Sequence, residues 1–171
     1  MAEQPAIRAY VSLGSNCDAA AEMLAKALAE LACLPDIRVG ATSPVYRTAP
    51  QGYADQPWFL NQVVELFVGP GWRPCSLVDA LLGLEARLGR VRSADPALRY
   101  GPRVIDADLL VFGQENSDDP HCLVPHPRLT GRAFALWPLL DVAPQLVVGG
   151  LPVSSWLKRI DYRVEGDRIF Q

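Results

Sequence analysis

The stretch Arg103–Gly113, RVIDADLLVFG, decides how the chain is read. Its run of Ile, Leu, Val and Phe predicts a buried strand, yet Asp106 and Asp108 interrupt it. Alternate side chains of a strand share a face, so the two carboxylates point the same way. Their Cα atoms then lie roughly 6.6 Å apart, at about 3.3 Å of rise per residue. Ile105, Ala107, Leu109 and Val111 fall on the opposite face and read as core. A buried carboxylate without a partner costs several kcal/mol. The compensation comes either from arginines or from a divalent cation. Hard cations such as Mg²⁺ take oxygen ligands and keep waters and substrate phosphates in the rest of their shell.

Working outward, IRAYVSLG puts Ile7, Ala9, Val11 and Leu13 on one face of a strand, and DAAAEMLAKALAELACL predicts a helix that stops at Pro35. DIRVGATSPVYRT predicts a second strand, with a bulge or an edge at Pro44. FLNQVVELFV predicts a third strand. SLVDALLGLEARLG, with Leu77, Leu81, Leu84 and Leu88 at helical spacing, predicts a second helix. The Asp-bearing stretch is then the fourth strand. This order gives an α+β fold, a ferredoxin-like βαββαβ sandwich with a mainly antiparallel sheet and its crossover helices on one face. GRAFALWPLLDVAP and SSWLKRI add C-terminal helices. No linker or repeat divides the chain, so residues 1–171 are expected to form one domain.

The net charge of −3 and the sequence pI near 5.3 argue against a nucleic-acid partner. No stretch resembles a secretion signal or a membrane span. A cytoplasmic location follows, with Cys17, Cys33, Cys75 and Cys122 as scattered core thiols. Only two histidines, His121 and His126, are present, and no CxxC pair, which speaks against a zinc site.

Arg90, Arg92, Arg99 and Arg103 crowd the approach to the two acids. Four cations for two carboxylates suggest a third, anionic party, and a phosphate chain with its metals would satisfy both sets of charges. No P-loop or protein-kinase motif accounts for such binding, and GSN after the first strand reads as a tight turn. Phe59 and Asn61 share a strand face. An aromatic ring beside an amide suits a flat heterocycle, although the pair taken alone reads first as a core Phe beside a surface Asn. VPHPRLTGRAF adds His126, Arg128, Arg132 and Phe134.

Taken together, YVSLGSN, SPVYRTAPQGYADQPWFLNQVV, LLGLEARLGRVR, RYGPRVIDADLLVFG and LVPHPRLTGRAFALWPLLDVAP resemble the 6-hydroxymethyl-7,8-dihydropterin pyrophosphokinases of folate biosynthesis, over roughly Ala9 to Leu157. The resemblance implies transfer of diphosphate from ATP to the pterin hydroxymethyl oxygen by attack at the β-phosphorus, leaving AMP. It implies Asp106 and Asp108 as ligands of two Mg²⁺ ions. Glu85, Arg90, Arg92, Arg103, His126 and Arg132 correspond to positions that contact ATP, and Arg90, Arg92, Asp106 and Asp108 are the expected catalytic set. Thr48, Phe59, Asn61, Tyr100 and Phe134 correspond to the pterin pocket, with Phe59 and Phe134 as the stacking pair. Arg90 and Arg92 would close over the phosphates. A monomer is expected, with association with neighbouring folate enzymes left open. Tyr100 departs from the Trp usual before GPR, and Leu82 stands where some members carry Gln. A non-catalytic pterin-binding relative would lack some of these acids and arginines. An RNA-binding module would need a basic face and surface aromatics.

Overall fold

A computed structural model describes residues 6–51, 54–92 and 102–171 of the chain. The first half runs β1 (Ile7–Ser15), α1 (Ala20–Ala32), β2 (Ile37–Thr42), β3 (Tyr46–Thr48), β4 (Phe59–Val68), α2 (Pro74–Arg87) and β5 (Asp106–Phe112). A 3-10 turn over Leu129–Gly131 leads into α3 (Ala133–Val142). Two short strands follow, β6 (Val147–Val148) and β7 (Leu151–Pro152), then α4 (Val153–Leu157), β8 (Arg163–Glu165) and β9 (Arg168–Phe170).

The strand expected over residues 36–48 is split. Pro44 lies in the gap between β2 and β3, where it has no N–H to give to a ladder. Ser43 bridges the gap: its Oγ accepts the Val63 N–H at 3.0 Å. Both pieces pair antiparallel with β4, β2 towards Val68 and β3 towards Phe59. β1 lies between β4 and β5, antiparallel to both. β9 adds to β3 in parallel and carries β8 as its hairpin partner, so the sheet is mixed and mostly antiparallel.

One face of the sheet follows the alternation directly. Ala9, Val11 and Leu13 of β1 pack with Val64, Leu66 and Val68 of β4 under α1 and α2, which contribute Leu24, Ala27 and Leu31, and Leu77, Leu81 and Leu84. The opposite face is covered as well. Tyr10, Val63 and Leu110 form a second core with Leu136 and Leu139 of α3 and Val153 and Leu157 of α4. The expectation of helices on one face therefore holds only for the crossover helices; the C-terminal helices close the other side. Val111 is also corrected. β5 carries one extra residue at Leu110, where the pairing slips from Val11–Leu109 to Tyr10–Val111. A bulge reverses the alternation beyond it. Val111 therefore joins the second core, and Phe112 takes its place in the first.

The cysteines differ from expectation too. Cys75 and Cys122 are disulfide-bonded with Cα atoms 4.8 Å apart, and Cys33 is exposed. A separation of 47 residues hides the pairing in the sequence. The fold creates it by bringing the start of α2 beside the turn that follows β5. No helix among the described residues is long and apolar enough to cross a membrane.

Candidate active site

The second face of the sheet is only partly covered. Beyond the reach of α3 and α4, its far end opens into a cleft of about 730 Å³. The floor is set by strand register. Gly14 of β1 lies between Asp106 of β5 and Asn61 of β4, and Ser12 lies between Asp108 and Val63. Two small residues on the central strand thus leave open space between an acidic strand and an amide-bearing one. Gly14 is required there: a Cβ would meet Asn61 Oδ1 at 2.5 Å.

The two acids share the cleft but not their surroundings. Asp106 is bonded by Arg90 Nη1 and by Arg103 Nη1, one on each carboxylate oxygen. Burial works to raise its pKa, and the two guanidinium groups outweigh it, holding the carboxyl below its ordinary value. Asp108 makes no ion pair among the described residues. Burial, and then the charge of Asp106, push its pKa up to about 6. One acid is thus paired and its neighbour is left short of positive charge, both on one face. That donor set suits a hard divalent cation.

Glu85 stands behind this arrangement. It is only 1 % exposed, on the last turn of α2, and does not line the cleft. Its Oε1 accepts from Arg90 Nη1 at 2.7 Å and from the Ala107 N–H at 2.8 Å, and its Oε2 accepts from Arg92 Nη2 at 2.5 Å. One carboxylate therefore fixes both arginines and the backbone between the two aspartates. Arg90, Arg92 and Arg103 line the cleft.

Across the opening, Arg128 and Arg132 line the same cleft and make no ion pair among the described residues. Burial, and then the charge of Arg128, lower the Arg132 pKa. His126 precedes them. Its Nδ1 accepts the Arg128 N–H at 3.1 Å, which leaves the ring proton on Nε2. Burial first, then Arg132 and Arg128, lower its pKa to about 4, so the ring is neutral at neutral pH.

Thr48, Phe59, Asn61 and Phe134 gather at the other end of the cleft. Asn61 Nδ2 donates to Thr48 Oγ1 at 2.6 Å, and both side chains are buried. Tyr100 lies outside the described residues, as do residues 93–99, including Arg99.

Asn16 is the residue that sequence reading undervalued. GSN is more than a turn. Asn16 is 2 % exposed and its side chain ties two loops together. Its Nδ2 donates to Gln56 Oε1 and to Pro57 O, while its Oδ1 accepts the Arg103 N–H at 2.7 Å. Ser15 Oγ donates to Val104 O at 2.6 Å. The segment bearing Arg103 is thereby clamped to the end of β1. The only signal in the sequence was the match of YVSLGSN to the family motif.

Comparison with known proteins identifies the family of the chain. The family described as 7,8-dihydro-6-hydroxymethylpterin-pyrophosphokinase (HPPK) matches residues 10–144. A 2-amino-4-hydroxy-6-hydroxymethyldihydropteridine pyrophosphokinase of Methylorubrum extorquens is 45 % identical over 154 residues, covering 90 % of this chain and 94 % of that protein. The Pseudomonas aeruginosa protein of the same name is 45 % identical over 139 residues, covering 81 % and 82 %. Among solved structures, an HPPK-DHPS in complex with substrates superposes with a TM-score of 0.66 at 12 % identity, over 97 % of this chain and 48 % of that one. Wild-type Plasmodium falciparum HPPK-DHPS with pterin and p-hydroxybenzoate gives 0.63 at 15 % identity, over 99 % and 49 %. The chain spans about half the length of these two, and the likeness to them is one of fold.

Proposed function

The chain belongs to the 7,8-dihydro-6-hydroxymethylpterin-pyrophosphokinase family and transfers diphosphate from ATP to hydroxymethyldihydropterin in folate synthesis, and on that premise we propose how its own residues divide the work. Asp106 and Asp108 hold the magnesium of Mg-ATP, as two ions. When bound, the metal supplies Lewis-acid neutralisation of the phosphate oxygens. Arg90, Arg92 and Arg103 on one side, and Arg128 and Arg132 on the other, bind and orient the phosphate chain. Neutral His126 offers its Nε2–H to a phosphate oxygen. Asn61 and Thr48 read the polar edge of the pterin while Phe59 and Phe134 hold its faces. Glu85 and Asn16 act through the arginines rather than on substrate.

The single observation that best supports this reading is the row Asp106–Gly14–Asn61 across three adjacent strands. It sets a metal-type acid and a heterocycle-type amide on one surface, separated by a residue with no side chain. An acceptor hydroxymethyl group held at the amide end would point along the floor towards phosphates held at the acid end. Alignment of the attacking oxygen with the β-phosphorus is then the chief contribution of the protein. We take residues 1–171 as one catalytic domain, acting as a monomer in the cytoplasm, where ATP is supplied.

The direct test is product analysis. With ATP, Mg²⁺ and hydroxymethyldihydropterin, AMP and pterin diphosphate should form in equal amounts, and omission of the pterin should stop AMP release. ADP as the nucleotide product, or AMP release independent of the pterin, would overturn the reading.

Asn61→Ala should weaken pterin binding far more than ATP binding. A buried polar edge left without its partner costs about 1–3 kcal/mol, or roughly tenfold to a hundredfold in affinity. Calorimetric titration of each ligand decides the matter, and equal losses would contradict the pocket assignment.

Arg92→Ala should act on the rate instead. The Arg92 side chain is 58 % exposed and is held by Glu85 alone among the described residues. An arginine that completes its contacts only as charge develops stabilises the transition state selectively. Loss of one such donor lowers kcat by about a hundredfold or more. Steady-state kinetics should show that fall with little change in KM for ATP. A rise in KM with kcat unchanged would assign Arg92 to ground-state binding.

A further inference from the structure

We propose that Cys75 and Cys122 form a reversible thiol–disulfide exchange site, remote from the cleft, that is closed by small disulfides such as oxidised glutathione and opened by small thiols. The two residues are unequal in the way such chemistry needs. Cys75 is the second residue of the 14-residue helix α2 and is partly exposed. Its sulfur is the one that a small disulfide can reach, and that exposure sets the order of attack. Cys122 is 2 % exposed and out of reach of a large oxidant. Cys75 is therefore the attacking sulfur and Cys122 the resolving one.

The surroundings provide for both redox states. Asp119 Oδ2 lies 3.7 Å from Cys75 Sγ, placed to accept its S–H in the reduced pair. Ser117 Oγ lies 3.6 Å from Cys122 Sγ and can serve that thiol in the same way. Asp119 is itself fixed, its Oδ1 accepting the His121 N–H at 2.9 Å. The Cys122 N–H bonds to the Asp119 carbonyl at 2.9 Å, so the turn that presents the second sulfur keeps its shape without the disulfide.

The exchange balances with oxidised glutathione as the named oxidant. The Cys75 thiolate attacks one of its sulfurs, giving a mixed disulfide and releasing one glutathione thiolate. Cys122 then gives up its proton and attacks Cys75 Sγ, forming the internal bond and releasing the second glutathione. Reduction runs the same steps backwards. The bond ties the start of α2, whose last turn carries Glu85, to the turn that leads into His126 and Arg132. A long covalent loop restricts the unfolded chain, so the closed form should resist heat better than the open one.

The test uses the full chain equilibrated with glutathione buffers, quenched with N-ethylmaleimide and mapped by peptide mass. At an oxidising ratio, Cys75 and Cys122 should lose the label together and appear in one linked peptide, and dithiothreitol should restore both labels in the folded protein. The oxidised form should melt about 5–10 °C above the reduced form. Cys75→Ser should abolish that difference, and Cys33→Ser should retain it. Absence of the linked peptide at the oxidising ratio, persistence of the link in dithiothreitol, or equal melting temperatures of the two wild-type forms would overturn the proposal. None of these readouts depends on catalysis.

Discussion

Asp108→Ala is expected to stop diphosphate transfer and, without Mg²⁺, to raise the melting temperature. The two effects have one cause. Asp108 sits beside Asp106 in a partly closed cleft, with no ion pair of its own among the described residues. Its ionised form therefore weakens the empty protein, and removing it relieves a like-charge repulsion. In catalysis the same charge is indispensable if it holds magnesium. Metal neutralisation of a transferring phosphoryl group contributes several kcal/mol, and each 1.36 kcal/mol is tenfold in rate, so a loss of about a thousandfold or more follows. Asp106→Ala should be equally inactive but less stable than the parent, because it takes a carboxylate from both Arg90 and Arg103. Opposite shifts in melting temperature, with parallel losses of turnover at saturating Mg²⁺, distinguish metal ligands from ordinary ion-pair partners. Turnover within tenfold of the parent for either variant would remove the metal assignment.

What could be read from the chain beforehand follows from the range of the signals. The same-face geometry of Asp106 and Asp108 is fixed by the period of a strand, and the helices by the spacing of Leu77, Leu81 and Leu84. Both are local and both hold. The reversal at Val111 is not local. It depends on how β5 pairs with β1, and a bulge leaves no mark in a run of Leu, Leu and Val. The hairpin of β8 and β9 was legible in principle, since RVEGDRIF carries a Gly-centred turn between short alternating strands. Its parallel addition to β3 was not. Asn16 looks like any turn residue in sequence. Its buried amide gains meaning only when Gln56, Pro57 and Arg103, distant in the chain, converge on it. The Cys75–Cys122 bond is hidden for the same reason. Glu85 gave half its meaning: its helical position faces the core, where a carboxylate must be paired, but the identity of its three donors required the fold.

That buried carboxylate gives the second large effect. Glu85→Ala should destabilise the protein and inactivate it together. The side chain is 1 % exposed, and its two oxygens serve Arg90, Arg92 and the Ala107 N–H. The Arg92 contact contributes little to stability, because more than half of that side chain is in solvent, where screening weakens the pair. The cost falls on Arg90, whose side chain is 14 % exposed, and on the Ala107 N–H, which loses its bond to the carboxylate. Breaking a buried pair from one side costs about 3–5 kcal/mol, which for a chain of this size lowers the melting temperature by roughly 10 °C. Arg90 keeps Asp106 and the Ile105 carbonyl, so it should stay near the acids but lose the orientation that Glu85 imposes. Glu85→Gln separates the two roles. The amide keeps an acceptor for the Ala107 N–H but turns an N–H₂ towards one of the arginines, so much of the stability should return while kcat stays low. Thermal melts and single-turnover AMP formation on the two variants are the measurements. If Glu85→Gln restored the rate along with the fold, the negative charge would have no part in aligning Arg90 and Arg92, and Glu85 would serve only as a neutral acceptor and as packing for the end of α2.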